Sequence, residues 1–180
     1  MKLFIASDIH GSAYYAELMV KKFAQSGAER LVLLGDILYP GPRNDLPRDF
    51  APKSVIALLN PLADKIIAVR GNCEAEVDQM VLDFNVSSDY VTLNDGKATI
   101  CASHGHRAVP ALAKGDFYLY GHTHVPVIEE TEGGYFNVNP GSTSIPKENS
   151  PHSYIIYENG IFRWYDLETG ECYMDSSSVK

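Results

Sequence analysis

Five short segments of the chain carry side chains of the types that bind metal ions, and each segment contains or adjoins a glycine. They are Ser7-Asp8-Ile9-His10-Gly11, Gly35-Asp36, Gly71-Asn72, Ser103-His104-Gly105-His106 and Gly121-His122-Thr123-His124. Alternate side chains of extended backbone point the same way, so two histidines one residue apart can address one point in space. Carboxylates and imidazoles without sulfur are typical ligands of divalent transition metals.

The candidate ligands number seven, with two carboxylates, four imidazoles and one amide: Asp8, His10, Asp36, Asn72, His104, His122 and His124. Seven donors are too many for one tetrahedral ion, which takes four ligands, but they suit two ions that share a bridging carboxylate. An imidazole-rich set that includes carboxylates favours Mn, Fe, Zn, Co or Ni over Ca. The residues therefore predict a pair of divalent metal ions.

The first half of the chain contains the elements that must position these donors. Apolar runs (LFIA, RLVLLG and KIIAVRG) alternate with stretches of helical spacing (AYYAELMVKKFAQSG, APKSVIALLNPLA and AEVDQMVLDF), a βαβ rhythm that predicts parallel strands. Ser12 and Gly27 are placed to cap the first helix, and Pro52 to open the second. Each donor segment follows a predicted strand, and ligands are held at the carboxyl ends of strands, so we expect all five segments to converge.

After about Ser87 the pattern changes to short strands separated by turns. Gly133-Gly134 and Asn159-Gly160 lie between alternating runs and predict tight hairpins. No linker composition separates the two halves. We therefore predict an α/β fold in which two sheets pack together inside one domain, residues 1–180, with helices outside.

Composition limits the classes of partner and compartment. A net charge of −8 and a pI near 5.1 give no basic surface for gripping duplex nucleic acid. Cys73, Cys101 and Cys172 are odd in number and widely spaced, which favours a reducing, cytoplasmic compartment. The N-terminus turns polar too early for a signal peptide and no run of 18 apolar residues occurs, so no membrane association is expected. A hydrophobic content of 45% and eleven tyrosines leave room for a homo-oligomer.

The ordered blocks DxH, GD, GN, GH and GHTH, from Asp8 to His124, resemble the calcineurin-like metallophosphoesterase superfamily. VRGNC at 69–73 and NPGSTSIPK at 139–147 are similar to the YfcE-type small bacterial phosphodiesterases of that superfamily. The resemblance implies a four-layer αββα sandwich of two mixed β-sheets flanked by helices. We expect the 139–147 stretch to be a turn that braces the metal loops.

The resemblance also implies a metal-dependent phosphodiesterase that hydrolyses small or artificial phosphodiesters with a metal-bridging hydroxide. Two divalent ions, Mn most of all and otherwise Zn, Fe, Co or Ni, would be bound in two groups joined by Asp36. The first group would be Asp8, His10 and His124, and the second Asn72, His104 and His122, with Asn72 and His104 also taking part in catalysis.

One position departs from the common superfamily pattern. Many members read GNHE, with a histidine that can protonate the departing oxygen, whereas this chain reads Gly71-Asn72-Cys73-Glu74. A thiol with a pKa near 8.5 is a poor general acid at neutral pH. We therefore expect either a preference for activated leaving groups, such as aryl phosphodiesters, or proton donation by His106.

Structural explanations remain open for several of these residues. Asp8, Asp36 and Asn72 could cap helices, and Cys73 could be a small buried residue. His106 fits substrate contact or a turn equally well, and Arg70 fits a phosphate contact or an ordinary ion pair. The loop of residues 38–51 is long enough to be functional or to be a solvated connector.

Two other functions share the same sequence features. A phosphomonoesterase or protein phosphatase would use the same centre. A non-catalytic interaction scaffold would keep the fold without the chemistry, although all seven donors are present.

Overall fold

A computed structural model describes residues 1–178; the last two residues of the predicted domain lie outside that range. The first sheet has six strands in the order β11-β10-β9-β1-β2-β3. Its parallel part is β1 (Lys2–Ala6), β2 (Arg30–Leu33) and β3 (Ile66–Ala68). Its antiparallel part is β9 (Ser153–Glu158), β10 (Ile161–Asp166) and β11 (Cys172–Asp175). The Asn159-Gly160 hairpin joins β9 to β10, as predicted.

The second sheet has five strands in the order β4-β5-β6-β8-β7. They are β4 (Tyr90–Asn94), β5 (Thr99–Ser103), β6 (Phe117–Leu119), β7 (Pro126–Glu130) and β8 (Phe136–Pro140). β5, β6 and β8 run parallel, whereas β4 and β7 pair antiparallel at the edges. The prediction of an α/β fold with two mixed sheets and flanking helices is confirmed.

The helices begin and end close to the predicted residues. α1 (Ala13–Ser26) starts at Ser12, whose Oγ accepts the Tyr15 N–H at 3.3 Å, and stops at Gly27, which has a φ of 70°. α2 (Pro52–Leu59) opens on Pro52 and continues as a 3₁₀ turn, Asn60–Lys65. Within residues 1–178, no helix has both the length and the apolar character needed to cross a membrane.

The third helix is shorter than predicted. α3 covers only Glu76–Val81, whereas the helical pattern ran from residue 75 to 84. The chain is extended at Leu82, and burial then alternates through Phe84 and Val86, whose side chains enter the core. Every second residue of this stretch is buried, which is the pattern of extended backbone, so burial in the core outweighs the helix propensity of the sequence.

Two cores hold these layers together, and alternate residues of β1 divide between them. Leu3 and Ile5 point into the inner core between the sheets, with Trp164 and Val138. Phe4 and Ala6 join the outer core, where the buried residues of α1 and α2 pack on the six-stranded sheet. Among the described residues, no helix packs a core residue against the outer face of the five-stranded sheet. The inner core holds the two sheets face to face, so the carboxyl ends of their parallel strands lie at the same end of the molecule.

The loop of residues 38–51 is held against the start of α1. Ser12 forms an isolated β-bridge with Phe50. The Ala13 N–H donates to the Asp49 carbonyl at 2.9 Å, and the Ala51 N–H donates to the Gly11 carbonyl at 2.8 Å. The loop is therefore a fixed wall beside the first donor segment.

Candidate metal centre

The structure brings the seven predicted donors together at the carboxyl ends of five strands. Three of the donor segments follow β1, β2 and β3 of the six-stranded sheet, and two follow β5 and β6 of the five-stranded sheet. The loops after β1 and β2 are joined by backbone hydrogen bonds, from the Asp8 N–H to Gly35 and from the His10 N–H to Asp36, at 3.2 and 2.9 Å. The site therefore depends on both sheets.

The first group of donor atoms is Asp8 Oδ1, His10 Nε2 and His124 Nε2. The two imidazole nitrogens are 3.1 Å apart, and Asp8 Oδ1 lies 3.5 Å from His10 Nε2 and 3.3 Å from His124 Nε2. A cation about 2.1 Å from each of three ligands would leave the ligand atoms roughly 3.0 to 3.5 Å apart. The spacing of these atoms fits one shared cation.

Backbone carbonyls fix which ring nitrogen of each histidine is free. His10 Nδ1 lies 3.0 Å from the Tyr39 carbonyl, His124 Nδ1 2.6 Å from that of Ile145, and His104 Nδ1 2.6 Å from that of Leu34. A carbonyl only accepts, so each Nδ1 carries the proton and each Nε2 of the neutral ring presents a lone pair. Bonds of this kind also orient metal-binding histidines.

The second group is centred on His104 Nε2. This nitrogen lies 3.0 Å from Asn72 Oδ1, 3.4 Å from Asp36 Oδ2 and 3.3 Å from His122 Nδ1. Donor atoms of Asp36 also lie within 4.8 Å of those of Asp8 and His104, and within 4.8 Å of those of His10 and Cys73. Asp36 therefore stands between the two groups.

The two oxygens of the Asp8 carboxylate differ: one is hydrogen-bonded to the protein and the other faces the donor group. Oδ2 accepts the Ser7 hydroxyl at 2.6 Å and the His122 N–H at 3.1 Å. Oδ1 is buried and has no hydrogen-bond partner anywhere in residues 1–178. A buried carboxylate oxygen without a partner is costly unless a cation binds it. This atom, together with the spacing of its neighbours, shows that the residues present fit a metal ion.

The electrostatics of the centre favour positive charge. Burial opposes ionisation of Asp8 and Asp36, but the imidazoles beside them, His124 next to Asp8 and His104 next to Asp36, hold the pKa of each carboxyl below its usual range. Burial likewise opposes protonation of His104, but the adjacent Asp36 carboxylate and the charge of Asp8 raise its pKa to about 9. Two ionised carboxylates in a buried site attract a cation.

Burial has the opposite effect on two other histidines. It lowers the pKa of His10 and of His122, against the attraction of Asp8 and Asp36. Both rings are therefore kept in the neutral form that offers a lone pair.

Sequence reasoning missed Glu74, which fixes the loops after β2 and β3. Its carboxylate accepts the N–H groups of Asp36 at 2.9 Å, Ile37 at 2.6 Å and Gly71. Burial and the charge of Asp36 raise the pKa of Glu74 to about 7, although these three N–H donors oppose the shift. The acidic residue that ends Gly71-Asn72-Cys73-Glu74 was the available signal. Its distant partners, Asp36 and Ile37, lie 38 and 37 residues away, and all three partners bind it through backbone N–H groups that every residue except proline has.

The backbone at the centre is strained. Five of the seven donors have positive φ values between 51° and 66°: Asp8, His10, Asp36, His122 and His124. This left-handed region costs a non-glycine residue roughly 1 kcal/mol or more and persists where the surrounding structure imposes it. At Gly121 an added Cβ would overlap Ser7 Oγ, so the glycine is required by this close approach.

Cys73 and His106 differ in whether they line the cleft above the donors. Cys73 lines the cleft above the donors; its N–H donates to Asp36 Oδ1 at 2.8 Å, and burial with the nearby carboxylate charges raises the pKa of its thiol. The His106 ring lies 5.5 Å from the His104 ring and 6.3 Å from that of His122, and does not line the cleft. Its Nδ1 is buried without a partner within residues 1–178.

The structure also shows what Arg70 and the 139–147 stretch contact. The Arg70 guanidinium donates to the Glu74 carbonyl at 3.5 Å and is not among the cleft residues, so its contact is structural. The 139–147 stretch braces the centre, as predicted: the Ser142 and Ser144 hydroxyls donate to the Asp8 carbonyl at 2.9 and 3.1 Å, and Ile145 supplies the carbonyl that orients His124.

The centre opens into a cleft of about 660 Å³. Its floor is formed by Asp36, Asn72, Cys73, His122 and His124, and much of its wall by residues 39–44. The loop of residues 38–51 thus has two roles: its Tyr39 carbonyl orients His10, and its first half shapes the cleft.

Comparison with known proteins agrees with this architecture. A model of the calcineurin-like phosphoesterase superfamily domain matches residues 1–159. The chain is 48% identical over 165 residues to a protein named Phosphodiesterase YfcE from Escherichia coli strain K12, covering 89% of each chain.

Solved structures show the same likeness. The structure of Yfce, described as a phosphoesterase from E. coli, superposes with a TM-score of 0.93 at 45% identity, covering 97% of this chain and 98% of the other. Vps29 from Entamoeba histolytica, solved in complex with zinc, has a TM-score of 0.64 at 18% identity over 97% of this chain and 99% of its own, and shares the fold alone.

Proposed function

Because the chain belongs to the calcineurin-like phosphoesterase superfamily, we propose that it is a metal-dependent phosphodiesterase acting on small or artificial phosphodiesters. The superfamily implies divalent metal ions, and the proposal adds that there are two of them, Mn²⁺ before Zn, Fe, Co or Ni. The choice of diesters rests on the name of the relative that is 48% identical.

The observation that carries this proposal is the pair of bare imidazole nitrogens beside a partnerless carboxylate oxygen. His10 Nε2 and His124 Nε2 are 3.1 Å apart, and the carbonyls at Nδ1 leave a lone pair on each. Two lone pairs at that distance repel each other, and Asp8 Oδ1 adds a negative charge to the same place. A cation removes this conflict, whereas a simple structural role for the three side chains does not.

We assign the first ion to Asp8, His10 and His124 and the second to Asn72, His104 and His122, with Asp36 between them. When bound, two such ions supply a hydroxide nucleophile near neutral pH and neutralise phosphoryl oxygens. The protein side chains would hold the donors in place before substrate arrives, so little reorganisation is needed during the reaction.

Cys73 occupies the position from which a side chain could protonate the departing oxygen. Cys73 lines the cleft where many relatives place a histidine, and its raised pKa disfavours the thiolate without making it an efficient acid. We therefore propose a preference for aryl diesters, whose leaving groups need no proton. His106 as the donor is the second candidate, and an His106→Ala variant with unchanged dependence on leaving-group pKa would exclude it.

Two substrates with the same chromophore separate the candidate functions. The protein is stripped with a chelator, reloaded with each of Mn²⁺, Zn²⁺, Fe²⁺, Co²⁺ or Ni²⁺, and assayed on bis(p-nitrophenyl) phosphate and p-nitrophenyl phosphate under equal conditions. We expect a larger kcat/KM for the diester. A larger value for the monoester would favour the phosphatase alternative, and no hydrolysis with any ion would favour the scaffold.

A variant of one proposed metal ligand, compared with a matched control variant, tests the assignment of Asp36. Asp36→Asn should lower diester kcat/KM by about 100-fold or more and reduce the metal content measured by elemental analysis. Asp83→Asn changes the same chemistry at an exposed position outside the cleft and should change neither. Equal metal content in both variants would contradict the assignment of Asp36.

We also propose a single domain, a cytoplasmic location and self-association into a homo-oligomer. Cys73, Cys101 and Cys172 are all free in the structure, which is compatible with a reducing compartment. Val77 and Met80 on α3 are 55% and 81% exposed and offer apolar surface for a homo-oligomer.

A further inference from the structure

The rim of the catalytic cleft carries two cations. Apart from Asp36 on the floor, the only cleft-lining side chains among residues 1–178 with a fixed charge are Arg43 and Lys147. Both are exposed. Two positive rim charges are notable in a chain whose net charge is −8.

These two cations lie on separate, well-anchored segments. Arg43 belongs to the 39–44 wall, where Asn44 Nδ2 donates to the Pro40 carbonyl at 2.8 Å and closes a turn containing two prolines. Lys147 ends the bracing segment, and its N–H donates to the His124 carbonyl at 3.2 Å. Their backbones are thus fixed relative to the donors, which lowers the entropy cost of binding a ligand there.

Neither cation has a structural task within the described part of the chain. Two other arginines near the centre are occupied: Arg48, in the same loop as Arg43, stacks over the Tyr14 ring at 3.5 Å, and Arg70, after β3, donates to the Glu74 carbonyl. Within residues 1–178, the side chains of Arg43 and Lys147 make no hydrogen bond or ion pair. They are available to a ligand.

The charge balance of the cleft indicates what that ligand carries. If the proposed function holds, two divalent cations bring four positive charges, and Asp8, Asp36 and the proposed hydroxide cancel three of them. Arg43 and Lys147 raise the excess to about three, whereas a simple phosphodiester brings a single negative charge. A substrate with a second anionic group matches the cleft better, since complementary charge strengthens binding and speeds encounter.

We propose, resting on the proposed function, that Arg43 and Lys147 bind a second anionic group of the substrate. The preferred substrate class is then a small phosphodiester that carries a further phosphate or carboxylate on one of its two alcohols. The scissile phosphate occupies the floor, and the second anion occupies the rim.

A matched pair of substrates tests this. Both are p-nitrophenyl esters of a nucleoside 5′-phosphate, and one of them carries an additional 3′-phosphate. In each, water supplies the new P–O bond, the bond to the aryl oxygen breaks, and p-nitrophenol and the nucleotide are released. The leaving group is identical, so the ratio of the two kcat/KM values reports only the second anion.

We expect the substrate with the 3′-phosphate to be preferred about 10-fold at low salt, and less at high salt, because exposed ion pairs are screened. Arg43→Gln and Lys147→Gln should each reduce the ratio, and the double variant should bring it close to one. Arg43→Lys should retain most of it. Lys53→Gln, at an exposed position of α2 outside the cleft, should leave the ratio unchanged.

A binding measurement adds a readout independent of turnover. By calorimetry, the wild-type protein should bind a nucleoside 3′,5′-bisphosphate about 10-fold more tightly than the 5′-monophosphate, and the double variant should bind both equally. A wild-type ratio near one in either measurement, or a double variant that slows both substrates equally, would overturn the proposal. Failure to hydrolyse either ester with any metal would instead refute the proposed function, and the binding comparison would still decide the role of the rim.

Discussion

At the scale of single residues, Asp8 and three of the four histidine donors are held by a bond to their second polar atom. Asp8 gives Oδ2 to Ser7 and His122, and the histidines that bond backbone carbonyls give up Nδ1. The remaining atom of each is left for a ligand. Such outer bonds orient metal ligands, and their loss typically costs 10- to 100-fold in metal affinity or activity.

Cys73 is the residue where we expect chemistry to be limited. Cys73→His would return a side chain with a pKa near 6.5 to the cleft beside Asp36, where it could donate a proton to the departing oxygen. Diesters with poor leaving groups should then react about 10-fold or more faster, and the dependence of kcat/KM on leaving-group pKa should flatten. A series of aryl and alkyl diesters measures that slope.

Cys73→Ser is the control for this change, because it keeps the size of the side chain without adding a group that titrates near neutral pH. Unchanged rates and an unchanged slope for Cys73→His would show that leaving-group protonation does not limit the reaction.

Glu74 is a positioning residue whose importance only the structure reveals. In Glu74→Gln a single amide oxygen would face three N–H donors, leaving buried donors unsatisfied at a cost of about 1 to 3 kcal/mol. We expect a lower free energy of unfolding and about 10-fold weaker metal binding, measured by urea denaturation and by metal titration.

The neighbouring exposed carboxylate provides the comparison for Glu74. Glu76→Gln, two residues further on at the start of α3, should change neither property. Wild-type metal affinity in Glu74→Gln would mean that the loops after β2 and β3 are held by other contacts.

At the scale of elements, the centre depends on the contacts that hold the two sheets face to face. Besides the inner core, a hydrogen bond from the Tyr157 hydroxyl in β9 to Asp95 Oδ2 joins the six-stranded sheet to the β4–β5 hairpin. This bond, with N–H donors from Ala98 and Lys97, lowers the pKa of Asp95. Burial and Asp95 raise the pKa of Tyr157.

These two shifts give the contribution of the bond a defined pH window. A carboxyl whose pKa is lowered on folding stabilises the protein above its unfolded pKa, near 4, and loses that effect at lower pH. A phenol whose pKa is raised stabilises it below its unfolded pKa, near 10. The bond should therefore contribute most between about pH 4 and 10.

Tyr157→Phe tests this window. The variant should be less stable to urea by about 1 kcal/mol at pH 7, and the difference from wild type should shrink below pH 4. Tyr135→Phe, in the β7–β8 hairpin, removes a hydroxyl that has no carboxylate partner among residues 1–178 and should show no such pH dependence. A Tyr157→Phe difference that is constant from pH 3 to 7 would contradict the role of Asp95.

At the scale of the whole molecule, metal binding and folding should be coupled. The donors come from five segments in both sheets, so the complete set exists only in the folded chain. A ligand that binds only the folded state stabilises it by about 2.7 kcal/mol at 100 times its Kd. We expect Mn²⁺ to raise the unfolding temperature of chelator-treated protein.

Asp8→Asn should remove most of this stabilisation, because Asp8 Oδ1 is the partnerless atom of the first donor group. Asp83→Asn should retain it. The measurement is thermal unfolding with and without Mn²⁺, and an equal rise in temperature for the two variants would show that the ion binds elsewhere.

The sequence by itself determined the fold class, the caps of α1 and which seven side chains are candidate metal donors. These features follow from residues close together in the sequence. They are apolar runs that predict strands, glycines in or beside each donor segment, Ser12 before a helix and Gly27 after it. The α3 stretch was wrong in length, because the burial of Leu82 and Phe84 in a distant core overrode the helical spacing.

Only the tertiary structure decided how those donors are used. Nothing local in the sequence predicts that Glu74 binds the backbone after β2, that the Tyr39 carbonyl sets the tautomer of His10, or that Arg43 and Lys147 face the same cleft. Each of these contacts joins residues that are far apart in the chain, or involves backbone atoms that every residue shares. Such pairings come from packing the two sheets face to face, which the spacing of residue types does not encode.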